Sequence, residues 1–282
     1  MSRAQVFARQ ARGILTRTGG YLSGYSHTLQ PYSGCEFSCA YCYVRQMAVQ
    51  RATPHGLPWS RWISPKLNAP QLLARAARRG ALARTRIFCG SVTDPYTPIE
   101  RKLRLTRGCL EVLAGATPGP DALVLQTRSP LALRDVDLLR RIPQAGLSLS
   151  IATDDDALRR RFEPNAPGIR LRIKALGALR AAGIPTQAAL APLLPCNPQR
   201  LAELLEPVAD RIVVDDFHQG DGAGGRRSAT ALRMLRESGH GAWAEPGYTA
   251  EALHVFRSVL GEARVVESQA GFNDTSWLAG GR

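Results

Sequence analysis

No run of about 18 apolar residues occurs in the 282-residue chain, which excludes a membrane-spanning helix. The opening Met1-Ser-Arg-Ala-Gln-Val-Phe7 lacks an apolar secretory core, so a cytoplasmic protein with no membrane partner is expected. Histidine is scarce, and none of His27, His55, His218, His240 and His254 is paired at a zinc-ligand spacing. Lysine is scarcer still, with only Lys66, Lys102 and Lys174, so the 37 basic residues are nearly all arginine. Against 23 acidic residues they give a formal net charge of +14, which attracts phosphodiester backbones by counterion release. DNA or another nucleic acid is therefore an expected substrate or partner, while the wealth of Ala, Gly and Pro leaves a GC-rich coding bias as the other reading. No Gly-Lys-Ser/Thr accompanies the glycines of 220–227, so there is no P-loop. That stretch reads as a mobile lid or plain connection, with phosphate contact as the alternative.

What is present is a cysteine motif. Ser33-Gly-Cys-Glu-Phe-Ser-Cys-Ala-Tyr-Cys-Tyr43 holds Cys35, Cys39 and Cys42, three of the six cysteines, as C-x3-C-x2-C. Nothing marks the chain as secreted, so disulfides are not expected. Three thiolates so close together reach one inorganic centre only if an irregular loop wraps it. Iron–sulfur cubes normally take four cysteines. Three leave one iron open to a substrate or cofactor. A zinc site completed by His27 stays open as the alternative.

Around the motif the chain alternates strand and helix. A short basic helix over about 4–16 precedes a first strand near 27–32. Helices follow at 71–79 (N-cap Asn68, closed by Gly80), 105–114, 131–141, 170–182 (closed by Gly183) and 198–205, with strands at 86–92, 122–126, 147–151, 186–190 and 211–215. Strands spaced by helices imply parallel pairing with right-handed crossovers. From residue 217 the periodicity stops. A helix at 250–260 and a strand at 263–267 follow, and 271–277 has no assignment beyond a cover for the edge or bottom of the fold.

Cys35-x3-Cys39-x-Tyr41-Cys42 resembles the signature of the radical S-adenosylmethionine enzymes. Arg12-Gly-Ile-Leu-Thr-Arg-Thr-Gly-Gly-Tyr21, His27-Thr-Leu-Gln-Pro-Tyr-Ser-Gly-Cys35 and Thr93-Asp-Pro-Tyr96 are similar to the branch related to spore photoproduct lyase. The resemblance implies an α/β fold, a partial (β/α)6 TIM-type barrel with parallel strands and short extensions at both ends. The boundaries expected are 1–25 for a basic N-terminal extension, 26–218 for the barrel and 219–282 for a C-terminal extension packed on it. It also implies a [4Fe-4S] cluster on Cys35, Cys39 and Cys42, S-adenosyl-L-methionine on the open iron, and an external electron donor such as flavodoxin or ferredoxin.

The chemistry so implied is a 5′-deoxyadenosyl radical acting on DNA, in thymine-photoproduct repair. A radical enzyme acting on a protein, RNA or small molecule, and a non-catalytic metal-binding nucleic-acid-binding protein, are the alternatives. In barrels of this type function gathers at the C-terminal strand ends. There the resemblance implies Tyr41, Ser91, Thr93, Asp94, Arg128 and Ser150 as cofactor-binding residues, with Ser148 and Ser150 sharing a face by alternation. Cys89 and Tyr43 are the catalytic candidates, Cys89 as the thiol that returns a hydrogen atom to a product radical. A core role for Cys89 and an Asp94 turn are the structural alternatives. Glu163–Pro167 reads as a structural loop, with ribose contact by Glu163 or Asn165 left open. Asp215, Asp216 and His218 are expected on the same rim, Cys109 in the core, and Cys196 in a loop or helix cap.

Overall fold

The computed structural model describes residues 4–51 and 56–280, so Arg3, Pro54 and His55 lie outside the described residues. Its strands, in chain order, are β1 (Gln5–Val6), β2 (Leu15–Arg17), β3 (His27–Leu29), β4 (Tyr32–Gly34), β5 (Trp62–Pro65) and β6 (Arg86–Cys89). Then come β7 (Ala122–Thr127), β8 (Ala145–Ser150), β9 (Thr186–Leu190), β10 (Arg211–Val214) and β11 (Val265–Glu267). One sheet runs β11-β10-β9-β8-β7-β6-β3-β2, parallel from β3 through β11, with β2 antiparallel on the edge. A small second sheet, β1-β5-β4, stands beside the loop that follows β4.

The main helices are α1 (Ala69–Arg78), α2 (Leu105–Gly115), α3 (Asp156–Phe162), α4 (Ile169–Ala181), α5 (Pro198–Leu205), α6 (Ala229–Glu237), α7 (Ala250–Leu260) and α8 (Ser268–Asn273). Their starts have local causes. Asn197 caps α5 by accepting from Arg200 N at 2.9 Å, and Asp155 caps α3 by accepting from Ala157 N at 2.7 Å. The sheet's register sorts side chains into two layers. Leu29, Cys89, Leu125 and Leu147 share one row facing the helices, in the main apolar core. Gln126, Ser148, Gln187 and Arg211 share a row facing inward. There Arg211 Nε donates to Gln187 Oε1 at 2.7 Å and Gln187 Nε2 to Ser148 Oγ at 2.8 Å.

Several expectations change. Residues 4–16 form no helix. Gln5 N, Phe7 N and Arg9 N donate to Arg61 O, Ile63 O and Pro65 O at 2.9 Å, so the segment extends the small sheet's edge. The pairing satisfies backbone groups that an isolated short helix would leave to water. Asn68 precedes α1 but does not cap it, because its amide clamps Ala11, accepting from N at 2.8 Å and donating to O at 2.9 Å. The helix expected over 131–141 is a 3-10 turn, Pro130–Asp135, followed by the single α-turn Val136–Leu139. The alternation also continues past 217, since α6 and α7 lead to β11, a seventh parallel strand beside β10.

The edges β2 and β11 do not pair with each other. Chain ends fill the gap instead. Gln269 Nε2 donates to Gly20 O and Asn273 Nδ2 to Tyr21 O, both at 2.9 Å. Gly24 N donates to Asn273 Oδ1, and Tyr25 OH to Phe272 O, also at 2.9 Å. Trp277 and Leu278 pack with Tyr25, Phe88 and Val124 in a separate apolar cluster. Gly146 leaves room for them, since a Cβ there would come within 2.7 Å of the Trp277 ring.

Candidate active site

The cysteine loop leaves β4 through Gly34, whose φ of +80° only glycine adopts without strain. A Cβ at Gly34 would also lie 2.5 Å from Trp62 O. Four anchors then hold the loop. Thr93 Oγ1 donates to Gly34 O. Arg45 donates to Cys39 O at 2.9 Å and Ser38 O at 3.3 Å. Ala40 N donates to Phe162 O at 2.8 Å, and Asn165 Nδ2 to Glu36 O at 2.8 Å. Through the last contact Asn165, which follows α3, braces the cysteine loop.

Glu163 does the same through a buried ionic network. Both Glu163 and Arg172 are fully buried and form an ion pair. Tyr41 OH donates to Glu163 Oε1, which lies 3.7 Å from Arg128 Nε. Burial raises the Glu163 carboxyl, but Arg172 and Arg128 outweigh it and hold it below its ordinary range. Arg128 in turn reaches Tyr41 OH at 3.2 Å, with its guanidinium 5.8 Å from the Tyr41 ring centre. The Glu163–Pro167 segment thus ties α3 and α4 to the tyrosine between the second and third cysteines.

Cys35, Cys39, Cys42, Tyr41, Tyr43, Ser91, Thr93, Asp94, Arg128 and Ser150 all line one cavity of about 570 Å³ at the C-terminal strand ends. Asp94 is largely occupied. Oδ1 accepts from Tyr96 N at 2.8 Å and Thr127 Oγ1 at 2.6 Å, and Oδ2 from Arg128 N at 2.9 Å. A carboxylate has about four acceptor positions, so about one remains for a ligand. Ser91 Oγ meets Gln30 Nε2 at 2.7 Å, while Tyr43 OH donates to Ser91 O. Ser150 Oγ meets Gln126 Nε2 at 2.8 Å, which leaves the buried Gln126 Oε1 without a partner.

Cys89 is not among these residues. It sits in the row with Leu29, Leu125 and Leu147 and packs in the helix-facing core at 1% exposure, whereas its neighbour Phe88 lines the cavity. The side-chain alternation of a strand forces this split. Cys89 is therefore withdrawn as a hydrogen donor to anything bound in the cavity. Cys109 is buried in the same core, as expected. His27 starts β3, at the end away from the cysteine loop, and pairs with Ser26 Oγ at 3.0 Å, so it does not complete a zinc site.

The three thiols suit a polynuclear centre. Each is free, and burial pushes all of them up, Cys39 to about 12, with Arg128 pulling the other way on Cys39 and Cys42. Metal binding must expel those protons. Among the described residues, no three His, Cys, Asp or Glu side chains are placed to hold a single ion. Arg128 Nε is buried and lacks a hydrogen-bond partner, with Glu163 Oε1 3.7 Å away.

Across the cavity, Asp215, Asp216 and the 220–228 loop form the facing wall, joined by Arg17 and Tyr21 from the N-terminal segment. The glycine-rich stretch is not a phosphate cradle. Its amides converge on the buried Asp221, which accepts from Ala223 N at 2.7 Å, Gly225 N at 3.2 Å, Arg227 N at 2.7 Å and Ser228 N at 3.1 Å. His218 faces elsewhere, with Nε2 3.2 Å from Ala244 O. Asp221 and Tyr21 were not singled out in the sequence, although each lies in a stretch that was, because their partners lie elsewhere or depend on the loop's fold.

A family model described as the radical SAM superfamily matches residues 29–207. An uncharacterized protein of Methanocaldococcus jannaschii is 32% identical over 174 residues, 62% of each chain. An uncharacterized protein of Mycobacterium tuberculosis is 29% identical over 175 residues, 61% of this chain and 50% of its own. The match thus spans only 50–62% of these relatives' length. Among solved structures, spore photoproduct lyase complexed with dinucleoside spore photoproduct aligns with a TM-score of 0.57 at 17% identity, covering 75% of this chain and 61% of the other. A radical S-adenosylmethionine methyltransferase from Kitasatospora setae, bound to tryptophan and a cofactor analog, gives 0.54 at 12% identity, covering 93% and 60%. At these identities the likeness is one of fold.

Proposed function

The chain belongs to the radical S-adenosylmethionine superfamily, and on that premise we propose that its cavity holds both cofactors and a nucleobase. It is a radical enzyme of the kind that uses a [4Fe-4S] cluster and S-adenosyl-L-methionine. When bound, these groups supply a 5′-deoxyadenosyl radical that removes a hydrogen atom from the substrate.

In this reading Cys35, Cys39 and Cys42 would hold three irons of the cluster and would leave one iron free for the cofactor. Arg128, its guanidinium fixed against Tyr41 and Glu163, takes the cofactor carboxylate. Asp94 would offer its remaining acceptor position to the cofactor ammonium, and Gln126 Oε1 and Ser150 are the groups that would take its sugar. Thr93 anchors the cysteine loop by donating its hydroxyl to Gly34 O, and Ser91 fixes Tyr43 through its backbone carbonyl. An external one-electron donor such as flavodoxin or ferredoxin supplies the reducing electron. Among the described residues no helix is long and apolar enough to cross a membrane.

One observation carries the reading. The three cysteines, the strand-end groups and an acidic far wall line a single cavity, which leaves room for a substrate between them. Nucleic acid as the substrate is supported by the net charge of +14 and by Arg17 and Arg227 on the cavity wall. Hydrogen abstraction fits this geometry, but return of the atom from Cys89 does not. Repair of the thymine photoproduct would need another donor.

The test is anaerobic incubation with dithionite, S-adenosylmethionine and UV-damaged DNA containing the thymine photoproduct, following 5′-deoxyadenosine and the released bases. DNA-dependent 5′-deoxyadenosine formation supports the reading. Formation of 5′-deoxyadenosine that DNA leaves unchanged, with no salt-dependent DNA binding, removes DNA as the substrate and favours a protein, RNA or small molecule.

A further inference from the structure

Two neighbouring carboxylates end β10, and the fold treats them differently. Asp215 is bonded through both of its oxygens. Oδ1 accepts from Asp216 N at 2.9 Å and Ser268 Oγ at 3.1 Å, and Oδ2 accepts from Tyr21 OH. Asp216 is not. Its Oδ1 accepts from His218 N at 2.8 Å and Gln219 N at 2.5 Å, but Oδ2 has no hydrogen-bond or ion-pair partner among the described residues.

The residue that carries the free oxygen is buried, and its carboxylate is not able to turn away. Asp216 is only 7% exposed and lines the cavity. Two backbone donors fix Oδ1, and so fix the plane of the whole carboxylate. Asp215 holds the Asp216 amide from behind, and Gly220 packs so close that a Cβ there would lie 2.8 Å from Asp216 O. A carboxylate oxygen left unpaired beside a cavity is an acceptor open to a donor that a ligand brings.

We propose that Asp216 reads the substrate by accepting the imide N–H of a thymine or uracil base through Oδ2. This rests on the nucleobase reading above and adds which edge of the base is recognised. The imide edge presents one donor between two carbonyl acceptors. The cavity supplies the matching chemistry, with one unpaired acceptor at Asp216 and the cationic donors Arg17 and Arg227 lining the same space. Tyr21, Tyr43, Trp59 and Phe272 also line it and offer ring faces on which a base stacks. Reading an unstacked base by its Watson–Crick edge is the usual solution where chemistry is done on that base.

The test uses the full chain, anaerobically reconstituted and loaded with S-adenosylmethionine. Titration calorimetry compares thymidylyl-thymidine with the same dinucleotide methylated at N3 of both bases, for the wild type and Asp216→Asn. Asn keeps the shape and the Oδ1 acceptor, so the backbone bonds persist. In the wild type, N3 methylation is expected to weaken binding at least tenfold. In Asp216→Asn the two ligands are expected to bind within twofold of each other. Equal binding of both dinucleotides to the wild type overturns the role of Asp216 and leaves the nucleic-acid reading standing. Binding of neither dinucleotide, nor of a thymine-containing single strand, overturns the nucleic-acid reading and the Asp216 proposal with it.

Discussion

Replacing Arg172 with Met removes the cation from the most deeply buried ion pair near the cysteine loop. Both members, Arg172 and Glu163, have fully buried side chains. Arg172 also donates to Ser150 O at 3.0 Å and Pro167 O at 2.8 Å, so the substitution leaves two carbonyls and one carboxylate oxygen without their donor. Breaking a buried pair from one side costs about 3–5 kcal/mol. A domain's total stability is about 5–15 kcal/mol. At roughly 2–4 °C per kcal/mol, the melting temperature is expected to fall by roughly 6–20 °C.

The sign of the pH dependence follows from Glu163. Its carboxyl is held below its ordinary 4.5, so its contribution is complete above that value and lost as pH falls through the folded-state value. The loss in Arg172→Met is therefore expected in full at pH 7 and to shrink on acidification. Glu163→Gln combined with Arg172→Met removes both charges and is expected to be no less stable than Arg172→Met alone. Calorimetric melts of wild type, Arg172→Met and the double variant measure this. An Arg172→Met protein that melts within 2 °C of wild type at pH 7 refutes the view that the network braces the site.

Asp215→Asn tests the opposite sign, because burial pushes the Asp215 carboxyl up to about 6 from 3.8. The folded state then binds more protons than the unfolded one between those values, so this residue lowers wild-type stability as pH rises from about 4 to 6, by at most roughly 3 kcal/mol. Urea unfolding across that range is expected to show the decline weakened in Asp215→Asn, and identical pH slopes would contradict the assignment. Cys89→Ala is expected to leave 5′-deoxyadenosine formation within twofold of wild type and to cost about 1 kcal/mol of stability; a tenfold loss of turnover in a folded protein would return Cys89 to the chemistry. Gly34→Ala places a Cβ 2.5 Å from Trp62 O at a φ of +80°. Iron and sulfide analysis after reconstitution is expected to show less than half the wild-type loading, and full loading would mean that the start of the cysteine loop is more tolerant than its geometry implies.

The alternation of strands and helices was readable because its signals are local. Thr186–Leu190, Pro198–Leu205 and Ala250–Leu260 occur where apolar period and capping residues place them. The spacing of the cysteines needed no tertiary information either. Cys89 shows where local reading ends. The alternation that puts Ser148 and Ser150 on one face applies equally to Phe88 and Cys89, but the phase is fixed only by pairing with β7, which sets Cys89 opposite Leu125. The N-terminal segment was misread for a similar reason, since its partner in β5 lies more than fifty residues away. Filling of the barrel's open side rests on Gln269 meeting Gly20 and Asn273 meeting Tyr21, contacts that no motif announces. The unequal roles of Asp215 and Asp216 are likewise invisible until the donors around each are in place.

The central claim is that three sulfur ligands leave one iron bare for the sulfonium cofactor. Electron paramagnetic resonance of the reduced, reconstituted protein, recorded with and without S-adenosylmethionine alongside iron analysis, addresses it most directly. The account requires four irons per chain and a cluster signal that changes shape when the cofactor is added, with both lost in a Cys35, Cys39 and Cys42 to Ala triple variant. A cluster whose signal is indifferent to the cofactor, or one that survives loss of these cysteines, would contradict it.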